Sequence, residues 1–241
     1  AYANDAHTIE AIYHAIENNI VDATLVGDEA TINNVCKELG FDVSKFKIVQ
    51  EADENKAGPK AVALINEGEG NILMKGLLST DKYMRAILNK ENGLMPGAKA
   101  VLSHATIIET PAYHKLIICG DVAVIPAPDL NQKVAITNYL IKIAHKLEIS
   151  QPKVALVAAT EQMLVGMPAC IDAAIISKMA DRGQIKGALI DGPLALDVTL
   201  DKESAQIKKL ASQVAGDADC LVFPNIEAGN VFYKTCTKLA G

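Results

Sequence analysis

Residues 71–88, NILMKGLLSTDKYMRAIL, read as a short apolar strand, a glycine turn and an amphipathic helix. Gly76 lets the backbone turn, and Ser79 or Thr80 can cap the helix that follows. The same rhythm runs through the chain. Helical stretches are expected near 8–18, 28–39, 54–67, 79–91, 129–147, 168–182, 201–211 and 229–240. Between them lie brief runs rich in Val, Ile and Leu: ATLV, KIV, NILM, VLSHATIIE, KLIIC, KVALVAA, GALI and DCLVF. Short apolar strands alternating with longer helices imply βαβ units, hence an α/β protein with mostly parallel sheets covered on both faces.

One stretch breaks the rhythm. VLSHATIIETPAYHKLIIC, residues 101–119, holds two strand runs joined by a Pro-Ala-Tyr-His turn with no helix between them. It reads as an antiparallel hairpin embedded in a parallel sheet. PAPDLNQK follows, with two prolines and a helix-start signal. The expectation is therefore two α/β domains, 1–128 and 129–241. The helix after Asp129 carries one apolar stripe at Ile136, Leu140, Ile143 and Leu147 and another at Val134, Ile141 and Ala144. So broad an apolar surface suits a helix covered by its own sheet and by a second subunit, and equally one that is simply buried. The second domain is accordingly the expected dimerisation domain.

The totals exclude several classes. The chain has 241 residues, half of them apolar, and a formal net charge of −6. A mean hydropathy of +0.17 describes a globular protein. No apolar run approaches the roughly 18 residues a membrane span needs, and no signal peptide opens the chain. The lysines are scattered rather than gathered on a basic face, so neither nucleic acid nor membrane is an expected partner. The five cysteines lie at least sixteen residues apart, which rules out CxxC spacing and suggests reduced thiols in a cytoplasmic protein. No metal site is expected.

Polar residues collect where strands run into helices, the place at which open α/β sheets bind ligands. The chain has only two arginines, Arg85 and Arg182. Arg85 follows a helix start whose free N–H groups favour an anion, and Lys75 precedes it, so Lys75, Gly76, Ser79, Thr80 and Arg85 form a candidate phosphate site. An ordinary capped surface helix with two solvated cations would carry the same residues. Asp191 and Asp197 bracket a Gly-Pro turn after GALI and serve as site acids or as turn and helix caps. Asn225, Glu227 and Asn230 surround Gly229 at another strand-to-helix junction, where capping is again the plain alternative. Ser103 and His104 interrupt an apolar strand, and Asp121 follows KLIICG as a site acid or a turn residue. Together these residues suggest a cleft between two domains, built for an anionic ligand.

Several long strings resemble the phosphate acetyl/butyryltransferases, and among them the phosphate butyryltransferases most. ILMKGLLSTDKYMRAILNKENGL is similar to that family's Lys-Gly-x-x-x-Thr segment with its downstream arginine, and LSHATIIETP to its Leu-Ser-His strand. PACIDAAIISKMADRGQIKGALIDGPLALD and AGDADCLVFPNIEAGNVFYKTCTKLAG are the most specific pieces. The resemblance implies two αβα three-layer domains of the isocitrate/isopropylmalate-dehydrogenase-like type, a homodimer and an interdomain active site. It implies transfer of a short acyl group between coenzyme A and inorganic phosphate, with acyl-CoA, phosphate and acyl phosphate as the small-molecule partners. Coenzyme A is then a substrate, and no permanently bound cofactor is expected. In that frame Arg85, Asn225 and Glu227 are the candidate catalytic residues. Lys75, Gly76, Ser79, Thr80 and Arg85 take the phosphoryl group, while Ser103, His104, Asp121, Asp191 and Asn230 take substrate or coenzyme A.

The pattern departs from the family at two kinds of place. Val122 and Ile125 stand where relatives carry glycine and asparagine, which bears on substrate preference. Relatives also continue past Lys238–Gly241 into a strand and a Thr-Ser-Arg loop, and they begin with a fuller first strand than AYA. Those two segments of the first domain are expected outside residues 1–241, and a chain truly lacking them is expected to be inactive. The alternatives are a non-catalytic protein that binds coenzyme A or acyl phosphate and a dehydrogenase of the same architecture.

Overall fold

The computed structural model describes residues 1–97 and 99–239. It divides into two compact units, Ala1–Ala100 and Val101–Gly241. In the first unit β1 (Ala23–Gly27) pairs in parallel with β2 (Phe46–Gln50). Around them lie α1 (Ala6–Glu17), α2 (Glu29–Leu39), α3 (Glu54–Asn66) and α4 (Thr80–Leu88). Each helix starts where a short polar side chain accepts a backbone N–H of the first turn: Asp5 from Thr8, Asp28 from Thr31, Asp53 from Asn55 and Ser79 from Lys82.

In the second unit five strands run in the spatial order β3-β4-β7-β5-β6. They are β3 (Ala105–Ile108), β4 (Ile117–Gly120), β5 (Lys153–Val157), β6 (Leu189–Leu194) and β7 (Cys220–Val222). β3 and β4 are antiparallel, with Ala105 opposite Gly120, whereas β4–β7, β7–β5 and β5–β6 are parallel. Every residue of β4 and β7 is buried, as befits strands covered on both faces.

The helices of this unit are α5 (Leu130–Lys146), α6 (Pro168–Asp181), α7 (Leu196–Leu200), α8 (Lys202–Ile207) and α9 (Ile226–Leu239). α5 opens with a reciprocal capping box between Asp129 and Gln132. It buries Ile136, Leu140, Ile141 and Ala144 against Ile118, Val154, Leu156 and Val222 of the sheet. Members of both its apolar stripes are thus covered within one unit. Each buried Ile, Leu or Val among them contributes about 1.5–3 kcal/mol. Cys36, Cys119, Cys170 and Cys220 are buried and Cys236 is half-buried. Burial pushes the thiol of Cys220 up to about 12 and that of Cys119 higher still, which leaves neither a ready nucleophile.

Four expectations are corrected. The domain division falls after Ala100 rather than near residue 128, because β4 pairs with β7 and carries the hairpin into the second sheet. NILM joins no ladder. The chain start bonds along this stretch and the turn after it: Ala1 N donates to Met74 O, Gly76 N to Ala1 O and Leu77 N to Tyr2 O. The helix expected over 201–211 is a single short one, α8 at Lys202–Ile207, which Asp201 separates from the preceding α7 and caps through the N–H of Ser204. The run expected over 101–109 forms a strand only at Ala105–Ile108, so Ser103 and His104 precede the strand rather than interrupt it. Ala240, at which the final helix was expected to end, lies outside the described residues.

Candidate functional site

In the first unit the expected phosphate residues gather at the start of α4. The Gly76 backbone passes so close to the chain start that a Cβ there would stand 2.6 Å from Tyr2 O, which explains the glycine. Lys75 is exposed and its Nζ lies 3.3 Å from Gly76 O. Ser79 is the N-cap of α4, donating its own N–H elsewhere, and Thr80 is the first helical residue. Arg85 Nε donates to Asp81 Oδ1 at 3.0 Å, one turn away, and the arginine side chain is 79% exposed. Arg85 lines a groove of about 600 Å³ between α3 and α4, together with Asn55, Asn66, Asp81, Lys82 and Asn89. A volume of this size lies within the range of small-molecule sites.

Sequence reasoning missed Glu54. This residue, at the start of α3, accepts the N–H of Ser79 at 3.0 Å and pairs with Lys82. Lys82 and the Ser79 N–H hold its carboxyl below the ordinary value. The protein therefore brings a carboxylate of its own to the helix end at which an anion was expected. A Glu twenty-five positions upstream leaves no signal in the local motif.

In the second unit the carboxyl ends of β4 and β7 and the entry to β3 come to the same edge of the sheet, a consequence of the antiparallel β3–β4 pairing. Ser103, His104, Asp121, Asn225, Glu227 and Asn230 all lie there. Asp121 is buried, 2% exposed. Its Oδ1 accepts the N–H groups of Ala123 at 2.7 Å and Val124 at 2.9 Å. Its Oδ2 accepts Ser103 Oγ at 3.0 Å and the N–H groups of His104 and Ile125, each at 3.2 Å. His104 Nδ1 is shielded from solvent and meets no partner among the described residues. Asn225 Oδ1 accepts the N–H of Ala228 at 2.9 Å, so this side chain caps α9. Glu227 is exposed in the first turn, and Asn230 Nδ2 donates to Val122 O at 3.0 Å.

Val122 and Ile125 are 1% and 9% exposed and belong to the two hydrophobic cores of this unit. Both departures from the family pattern are therefore packing residues here. Asp191 lies inside β6 rather than after a strand, and its Oδ1 accepts the N–H of Gly192 at 2.8 Å. Asp197, in α7, pairs with Lys208, which also holds Glu161. The two acids thus belong to separate local networks.

Sequence reasoning also missed Lys133 of α5. It is 7% exposed, its Nζ sits 2.6 Å from Asp172 Oδ2 of α6, and it borders a cavity of about 10 Å³ beside Phe223 and Pro224. Its place on the polar start of an amphipathic helix gave no sign of burial.

Comparison with known proteins supplies what geometry alone does not. The sequence profile of the family described as phosphate acetyl/butaryl transferase matches residues 55–241. The phosphate butyryltransferase of Clostridium acetobutylicum is 45% identical over 237 residues, covering 98% of this chain and 78% of that protein. The phosphate acetyltransferase of Thermotoga maritima is 38% identical over 242 residues, covering 100% of this chain and 81% of that one. Among solved structures, a branched-chain phosphotransacylase from Enterococcus faecalis V583 superimposes with a TM-score of 0.76 at 28% identity, covering 91% of this chain and 85% of its own.

Proposed function

The chain belongs to the phosphate acetyl/butyryl transferase family, and on that premise we propose that it is a transferase moving a short acyl group between coenzyme A and inorganic phosphate. The observation that carries this reading is the 45% identity over 98% of the chain with a phosphate butyryltransferase. Butyryl-CoA and acetyl-CoA are the leading acyl donors, since relatives named for both acyl groups match over nearly the full chain.

In the forward direction a phosphate oxygen attacks the thioester carbonyl carbon. The C–O bond forms, the C–S bond breaks, and coenzyme A leaves as a thiolate that takes up a proton. Both reactants are polyanions, so the main task is to hold them together against their repulsion and to stabilise charge as it moves. Lys75, Arg85 and the N–H groups at the start of α4 supply the positive potential for phosphate. Ser79 and Thr80 add hydroxyl donors to the same oxygens. At the second unit's strand ends, Glu227 and Asn230 orient the acyl or pantetheine end, with Ser103 and His104 at its border. Asn225 contributes through the helix start that it caps, and Asp191 supports from within β6.

The substrates are the only organic partners this chemistry needs, with coenzyme A consumed and regenerated rather than kept. Among the described residues no helix is long and apolar enough to cross a membrane. We place the enzyme in the cytoplasm, where acyl-CoA pools are found, as a homodimer assembled through the second unit. The deciding assay is release of free thiol from acetyl-CoA, butyryl-CoA and isobutyryl-CoA with and without phosphate. Phosphate-dependent release supports transfer, and binding of coenzyme A without turnover would instead indicate a non-catalytic binding protein.

A further inference from the structure

An ionised carboxylate offers about four lone-pair directions on its two oxygens. Five protein donors converge on Asp121, four of them backbone N–H groups, and the residue is 2% exposed. The side chain has no free acceptor capacity with which to receive a proton or a substrate donor. What it does instead is fix residues 121–126 in one course, with its donors drawn from the segment that enters β3 and from the loop itself.

That loop is the seat of α9. Pro126 O accepts the N–H of Ile226 at 3.0 Å, and Val122 O accepts Asn230 Nδ2 at 3.0 Å. Just before the helix, Gly120 O accepts the N–H of Phe223 at 2.9 Å. Gly229 lies against the same backbone, where a Cβ would come within 2.5 Å of Asp121 O and 3.1 Å of Val122 Cγ1. We propose that Asp121 is a positioning residue. Its carboxylate sets the loop on which the first turn of α9 rests, and so sets where Asn225, Glu227 and Asn230 stand, without touching substrate or moving a proton. This rests on the transferase reading for its catalytic consequence, though not for its structural one.

The chemistry requires a carboxylate rather than an amide. Asparagine has one acceptor oxygen, and its NH₂ would face backbone donors. The helix must also start at the right depth, which is why the seat tolerates no side chain at position 229.

The test uses Asp121→Asn and Gly229→Ala, which disturb the same seat from its two sides, and their double variant. Three readouts are taken: hydrogen exchange at the Ile226 and Gly229 amides, kcat and KM for each substrate, and the pH dependence of kcat. Both single variants should speed exchange at those amides at least about tenfold, the equivalent of about 1.4 kcal/mol. Both should raise the KM for acyl-CoA by a similar factor while leaving that for phosphate nearly unchanged. The shape of the pH profile should survive. The double variant should be little worse than either single one, because the two act on one element.

Loss of a pH limb in Asp121→Asn would make the residue an acid or base and overturn the proposal. So would a folded variant with wild-type exchange in the first turn of α9. If Asp121→Asn fails to fold, Gly229→Ala carries the same exchange and KM readings alone, with the same failing result. A wild-type protein that releases no thiol would defeat the transferase reading, and hydrogen exchange would still decide the positioning role.

Discussion

The backbone N–H of Ser79 donates to Glu54 Oε1 at 3.0 Å, so the start of α4 meets one of the protein's own carboxylates. If phosphate binds where we propose, Glu54 and a phosphate oxygen compete for the same donor.

Removing that negative charge should therefore ease anion binding at this helix start. Glu54→Gln keeps the shape and removes the charge. The apparent KM for phosphate should fall about threefold, the size expected for one charge at a helix end. The melting temperature should change little, because Glu54 and Lys82 are both partly exposed. Steady-state thiol release at varied phosphate reads the effect, and a higher KM would show that Glu54 organises the site instead of occupying it.

Arg85 gives a prediction of opposite sign. Its Nε is engaged by Asp81, and most of its side chain faces solvent above the α3–α4 groove. Arg85→Ala should raise the apparent phosphate KM about tenfold or more, the equivalent of about 1.4 kcal/mol, with the fold intact by circular dichroism. An unchanged KM would remove the residue from the phosphate site.

At the opposite edge of the second sheet, Asp217 lies 2.6 Å from Lys153 Nζ, 3.1 Å from Lys115 Nζ and 2.9 Å from His114 Nε2. Burial by itself would push its carboxyl up, but hydrogen bonds from Lys153, Lys115 and His114 outweigh that and hold it well below the usual carboxylate range. A group depressed in the folded state stabilises the fold above its unfolded value, near pH ~4, and loses that contribution as pH falls further. Asp217→Asn should melt lower than wild type at neutral pH. The difference between the two should shrink in thermal melts taken progressively below about pH 4.

The Lys133–Asp172 pair is a further case in which charge and burial compete. Lys133→Met leaves the largely buried carboxylate of Asp172 without its partner. It should cost about 2 kcal/mol, less than for a fully enclosed pair because Asp172 retains some solvent contact. Adding Asp172→Leu should restore most of the loss, as read from denaturant midpoints. A double variant as unstable as the single one would mean that the pair contributes more than mutual neutralisation.

Much of the fold was legible because helices announce their own beginnings. Asp5, Asp28, Asp53, Ser79 and Asp129 each cap a helix within two residues of the expected start, and the hairpin in 101–119 stood out by the absence of a helix. What stayed hidden depends on distant partners. NILM carries a strand pattern, but it joins no ladder and Met74 O accepts the Ala1 amino group instead, and the domain division moved because β4 pairs with a strand a hundred residues later. Motif positions located polar residues at strand ends, yet not what their atoms do. Asp121 reads as a site acid until five donors are counted around it. Asp191 reads as a loop residue until β6 is seen to run through it. Glu54 and Lys133 gave no local signal at all, since their partners are 25 and 39 positions away.

The central place of β7 has a consequence for how the polypeptide is made. The strand that divides the hairpin from β5 and β6 is the last of the five to leave the ribosome. Until Cys220–Val222 emerge, β3–β4 and β5–β6 are two unjoined ribbons with bare backbone along their inner margins. Nascent chains arrested before that point should be cut readily by protease across residues 101–200, and resistance should arrive in one step once the keystone strand is free to slot in.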